Sequence, residues 1–177
     1  VAGIVAALEA ARRGYAVTIY EAGTEIGGQL RLAAKIPGKE DYGRALAGFR
    51  NQLDELGVDI RLGHAVSLDA LVRENFDEVV VSTGIKARDF DIPGADDPRV
   101  VGYTSILDGS VVAGPSVVVI GGGGIGHDVA LFLAKGEAGS EPSVETFERH
   151  WGIKGARHLA PARRKVTMLK RSTGSFG

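Results

Sequence analysis

Residues 117–126 read V-V-V-I-G-G-G-G-I-G. Four β-branched residues form a buried-looking strand that runs straight into a glycine loop, and D-V-A-L-F-L-A continues as a helix. Gly121, Gly123 and Gly126 meet the spacing G-x-G-x-x-G, with Gly124 inside the same loop. In that spacing one glycine permits a tight turn and a second lets the backbone approach a pyrophosphate. The third lets helix pack closely on strand. Free N–H groups at the start of the helix expected over 125–134 then face the anion. Glycine-rich turns are common, so the strand before and the helix after are what make this a dinucleotide loop.

Composition bounds the chemistry. The chain has 177 residues with 44% hydrophobic content, enough for one compact domain or two small halves. A net charge of −1 does not announce a polyanionic partner, so nucleic acid is not expected. No apolar run approaches the roughly 18 residues of a membrane span, and no membrane association is expected. There is no cysteine, which excludes a disulfide framework, a redox-active dithiol and cysteine-ligated iron–sulfur or zinc sites within these residues. No metal ligands are expected here. Electron chemistry must then use a bound organic cofactor or groups outside the chain.

The opening, V-A-G-I-V-A-A-L-E-A-A-R-R-G, has no initiator Met and no charged leader, and reads as the middle of a motif. Gly3 reads as the last glycine of another G-x-G-x-x-G, its first two glycines and preceding strand missing, so a fragment is expected. An alanine-rich helix over 4–13 stops at Gly14, and a strand follows over 16–21. Glu21 ends that strand, 18 residues beyond Gly3. An acidic residue about 20 positions after such a loop grips a ribose hydroxyl pair, the plainer reading being a polar strand terminus.

Farther on, T-E-I-G-G-Q-L is a flexible loop. Tyr42, Leu46, Phe49, Leu53 and Leu56 recur at helical spacing over 41–56, a buried face ended by Gly57. Strands are expected over 58–62, near 65–66, and over 78–84, where E-V-V-V-S-T-G reads as buried and enters a sharp turn. Residues 89–97, punctuated by Pro93 and Gly94 and followed by Pro98, look like a hinge, and Gly114–Pro115 opens the second unit. Residues 136–161 read as a polar excursion with an aromatic patch at Phe147 and Trp151, before a strand over 164–171. The class is α/β: two Rossmann-like βαβ dinucleotide-binding units, truncated at both ends. The expected division is 1–98 and 99–177, with an insertion at about 136–163.

The two strand ends differ in charge. Glu21 accepts hydrogen bonds from ribose hydroxyls and repels phosphate, which suits an unphosphorylated ADP moiety such as that of FAD. Lys170 and Arg171 suit a 2′-phosphate, Arg by bidentate bonds, and favour NADPH over NADH. The plainer reading of that pair is a solvated basic face across 154–171. Nucleic-acid binding is disfavoured because no aromatic platforms interleave with these charges.

V-A-G-I-V-A-A-L-E-A-A-R-R-G, E-I-G-G-Q-L, K-I-P-G-K-E, V-V-V-S-T-G and I-G-G-G-G-I-G-H-D, with F-x-x-x-W-G-I at 147–153 and M-L-K-R, resemble the C-terminal half of bacterial NADPH-dependent 2,4-dienoyl-CoA reductases. The resemblance covers essentially the whole chain. It implies a relay in which NADPH gives a hydride to FAD, and electrons pass through a [4Fe–4S] cluster to FMN in an N-terminal barrel of the same polypeptide. That barrel, its cluster and the residue that protonates substrate lie outside this chain, so no catalytic residue is expected within it. The resemblance places Ala2 and Gly3 at the FAD pyrophosphate and Glu21 at the ribose. Gln29 and Lys39 line the flavin nucleotide, and Val66 meets the adenine through its backbone. Lys170 and Arg171 take the NADPH 2′-phosphate. His127, where the family tends to carry an aromatic, reads as a helix-face residue packed under the cofactor. The expected partners are small-molecule nucleotides and the expected location is cytoplasmic. Two alternatives stand: the equivalent module of a trimethylamine-dehydrogenase-like or other demethylating barrel flavoprotein, and a non-redox ADP-binding structural module.

Overall fold

The computed structural model describes residues 1–88, 91–136 and 162–175, with residues 144, 145, 148 and 153 between them. It divides into two compact units: Val1–Arg31 with Asp41–Arg88, and Leu32–Glu40 with Asp89–Gly177. The expected division at 98/99 differs in two places. Residues 91–98 fall with the second unit, and so does the excursion at 32–40, because buried Ile36 and half-buried Leu32 join that unit's apolar cluster.

The first unit opens on helix α1 (Ala2–Arg12), whose Ile4, Ala7 and Leu8 fall on one face and are buried. Gly14, at φ +89°, lets the chain leave the helix and turn into strand β1 (Thr18–Glu21). Short α2 (Gln29–Ala33) and then α3 (Asp41–Glu55) follow, before strand β2 (Asp59–Leu62). β1 and β2 pair in parallel, Thr18 with Asp59 through Glu21 with Leu62. A parallel pair needs a long crossover, and α2 and α3 lie within it. Helix α4 (Leu68–Glu74) closes this part, capped by Ser67 Oγ accepting from the Ala70 N–H at 3.2 Å.

Three expectations for this unit are corrected. Of the α3 stripe, Leu53 is fully buried and Leu46 and Phe49 pack against its cluster, but Tyr42 and Leu56 at the helix ends are exposed. Residues 65–66 are loop. Residues 78–84 form no strand, and Val81 is 80% exposed. An apolar run becomes a strand only when a neighbour completes its ladder, and among the described residues β1 and β2 pair only with each other.

The second unit holds α5 (Tyr103–Leu107), β3 (Ser116–Ile120), α6 (Gly124–Lys135) and β4 (Lys165–Leu169). β3 and β4 run parallel, in register from Ser116 with Lys165 to Ile120 with Leu169. Val129 and Leu133 of α6 bury against Val117, Val119 and Val166. β3 was expected to be buried throughout. Instead burial alternates along it, leaving Val118 55% and Ile120 60% exposed, because the described residues cover one face of the pair. Most of the polar excursion at 136–161, with Phe147 and Trp151, lies outside the described residues. No helix among the described residues is long and apolar enough to cross a membrane.

Two leucines on α3 give the core a direct test. Leu53→Ala should cost about 2–5 kcal/mol of unfolding free energy. Leu56→Ala, only three residues on, should cost under about 1 kcal/mol. Denaturant titration of both variants checks the difference.

Candidate functional site

In a parallel sheet the strands' C-terminal ends share one edge, and the loops there build nucleotide sites. Each unit has such an edge.

In the second unit, β3 ends at Ile120 and the glycine loop starts at once. Gly121 stands at φ +130°, which L side chains rarely adopt, and its N–H donates to the Leu169 carbonyl at 2.8 Å. The loop is thereby tied to the end of β4. Gly126 is a close-approach glycine: a β-carbon there would overlap the Gly121 carbonyl oxygen and stand 3.0 Å from its carbon. Gly123 and Gly124 are exposed, and no described atom lies within 4 Å of where their β-carbons would stand. α6 begins with Gly123 as its cap, with no side-chain cap bond and no acid in its first turn. Its first N–H groups therefore face an open cradle, the form expected of an anion site.

Lys170 and Arg171 follow Leu169 directly, so they stand on this same edge. The Lys170 ammonium bonds the Ser175 carbonyl, bending the chain back at 170–175. His127, half-buried on the first turns of α6, sets its Nδ1 3.0 Å from the Gly123 carbonyl.

In the first unit, Ala2 and Gly3 open α1, which also lacks a side-chain cap and an acid in its first turn. A β-carbon on Gly3 would overlap Ser82 Oγ and stand 3.3 Å from Ser82 Cβ, so this glycine too marks a close approach. Glu21 ends β1, and its Oε1 accepts from the Gly23 N–H at 2.8 Å. That bond orients the carboxylate at the sheet edge. The chain beyond β2 joins here, His64 N–H donating to the Glu21 carbonyl at 2.9 Å, and half-buried Val66 follows two residues later. Gln29 heads α2 and donates its Nε2 to the Ile85 carbonyl at 3.3 Å. Ala2, Gly3, Glu21, Gln29 and Val66 thus all belong to the first unit.

Lys39 does not. It sits in the second unit, with its ammonium 2.6 and 2.8 Å from the two carboxylate oxygens of Asp128 on α6. Asp128, Ser82 and the Gly23 N–H were missed in reading the sequence. A cap-like E-x-G at 21–23 was a usable local signal, whereas the partners of Lys39 and Gly3 are remote in the chain. No group of three or more His, Asp or Glu able to hold a metal occurs among the described residues.

A family model described as pyridine nucleotide-disulphide oxidoreductase matches residues 1–173, and the chain belongs to that family. Its fold is accordingly the α/β dinucleotide-binding fold of flavoprotein reductases, a family whose members bind FAD and NAD(P). The chain is 38% identical over 144 residues to a bilirubin reductase of Mediterraneibacter gnavus, covering 81% of this chain and 22% of that protein. It is 37% identical over 134 residues to a cinnamate reductase of Clostridium sporogenes, covering 75% and 20% respectively. Among solved structures, a 2-naphthoyl-CoA reductase superposes with a TM-score of 0.74 at 27% identity, over 95% of this chain and 26% of that one. The chain thus spans about a fifth of the length of the curated relatives it matches.

The loop glycines separate folding from binding. Gly126→Ala forces a β-carbon into backbone and should cost about 1–3 kcal/mol, read as a lowered Tm. Gly123→Ala adds a methyl in open space and should cost under about 1 kcal/mol. That methyl fills the cradle, so NAD(P)H binding should nonetheless be lost in calorimetry.

Proposed function

We propose that this chain, as a member of the pyridine nucleotide-disulphide oxidoreductase family, is the FAD- and NADPH-binding electron-input module of a 2,4-dienoyl-CoA reductase-like enzyme. The observation that carries the choice of NADPH is the shared edge of β3 and β4. There the open glycine cradle and Lys170–Arg171 lie one strand apart, joined by the bond from Gly121 to Leu169.

The residues fit both nucleotides. In the second unit, the N–H groups at the start of α6 bind a pyrophosphate, and Gly123 and Gly124 keep the cradle clear of side chains. Lys170 and Arg171 pair with the ribose 2′-phosphate by charge-assisted hydrogen bonds. In the first unit, the uncapped start of α1 meets the FAD pyrophosphate at Ala2 and Gly3, and Glu21, held by the Gly23 N–H, accepts from ribose hydroxyls. Gln29 and the Val66 backbone complete the flavin side. NADPH held there would supply a hydride and FAD would be its acceptor, and the residues of each unit would bind and orient the nucleotide of that unit.

In this reading the chain would serve an iron–sulfur and FMN barrel of the intact enzyme, whose chemistry would be reduction of a conjugated acyl-CoA. The naphthoyl-CoA reductase, named for a CoA thioester, and the cinnamate reductase support a substrate of that class.

Lys170→Ala with Arg171→Ala should raise the KM for NADPH about tenfold or more while leaving that for NADH within about twofold. Equal losses with both coenzymes would remove the 2′-phosphate role. The acyl-CoA assignment has a separate check, NADPH-dependent reduction of a 2,4-dienoyl-CoA by the intact enzyme, and it fails if only amine demethylation is seen.

A further inference from the structure

Helix α1 opens with donors and no acceptor of its own. The Val5 N–H donates to the Val1 carbonyl at 3.0 Å, so the N–H groups of Ala2, Gly3 and Ile4 precede that bond and have no partner within the helix. Val1, at the cap position, supplies no side-chain bond to them.

Ser82, far along the chain in the segment V-S-T-G, is pressed against this turn. Its hydroxyl oxygen overlaps the place where a β-carbon of Gly3 would stand, and its Cβ lies 3.3 Å from that point. Apart from the helix backbone and the chain neighbours of Gly3, no other described atom comes within 4 Å of it. The β-carbons of a helix lean toward its N-terminus. The hydroxyl therefore stands on the side of Gly3 from which the open N–H groups emerge. The absence of a side chain at Gly3 is what admits it.

Ser82 is exposed, and its hydroxyl bonds no described residue. It accepts nothing from the α1 N–H groups beside it, so its proton and both lone pairs remain for solvent or a ligand. An anion seated on the start of α1 only accepts hydrogen bonds. A hydroxyl at this turn adds a donor from a second segment, and a bond from it to a phosphate oxygen is charge-assisted. An alanine at position 82 would fit the close approach with less crowding and would supply no donor.

We propose that Ser82 is a further binding residue of the first nucleotide site, its hydroxyl donating to the pyrophosphate of FAD where that group meets the start of α1. The proposal rests on reading the first unit as the FAD site.

The intact flavoprotein, stripped of flavin, tests this. FAD is titrated back by flavin fluorescence, and ADP and adenosine are read by their competition against FAD, which confines both to the flavin site. Ser82→Ala should weaken FAD and ADP about tenfold and leave adenosine, which has no phosphate, within about twofold. Ser82→Thr, which keeps the hydroxyl, should hold FAD and ADP within about threefold of the parent. If Ser82 only fills space beside Gly3, Ser82→Ala binds ADP as the parent does, and the proposal fails. It fails equally if ADP and adenosine weaken together, since the loss then does not come from the phosphates. A parent protein that takes up no FAD overturns the FAD reading of the first unit itself, a result distinct from these.

Discussion

The carbonyl oxygen of Gly121 occupies the place where a β-carbon of residue 126 would have to be. Everything at the second nucleotide edge depends on that approach. It seats the start of α6 against the end of β3, which leaves the helix's first N–H groups aimed out of the sheet edge. Ile120 stands in register with Leu169, and the Gly121 N–H donates to the Leu169 carbonyl, so the end of β4 arrives beside the loop with Lys170 and Arg171. A helix held one methyl group farther out would keep its secondary structure and lose this convergence.

The first unit repeats the logic with opposite charge. Gly3 lets Ser82 approach the start of α1, as Gly126 lets the loop backbone approach the start of α6. The strand beside it ends in Glu21 instead of a basic pair, and the Gly23 N–H orients that carboxylate. Two parallel strand pairs therefore end in opposite charge, one edge in the Glu21 carboxylate and the other in Lys170 and Arg171. Each unit has its own apolar cluster.

Much of this was legible because it is local. α1, α3, α6 and the four strands follow from apolar period and glycine stops, with ends differing by one or two residues. The reading failed where a segment's fate depends on neighbours. The valines at 79–81 look like a buried strand, yet with no ladder partner among the described residues they stand exposed. α4 went unread for the opposite reason. Ser67 caps it and left-handed Asn75 ends it, but Leu68 and Val72 face solvent, so no buried stripe announced a helix. α2 and α5 span five residues each, too short for a 3.6-residue period to show.

The sequence alone determined the glycine spacing, the helix that follows it, and the contrast between Glu21 and Lys170–Arg171. These are properties of backbone sterics and charge within a few residues, and on them rests the expectation of two kinds of dinucleotide. Only the tertiary structure decided where the I-P-G-K turn belongs. Its partner, Asp128, lies 89 positions away, and nothing near Lys39 encodes that pairing. Ile36 carries the turn into the second unit because that unit's cluster buries it completely, and the ion pair follows from where the apolar anchor comes to rest. Hydrophobic burial is not directional along the chain, so its choice of partner appears only once the chain has folded.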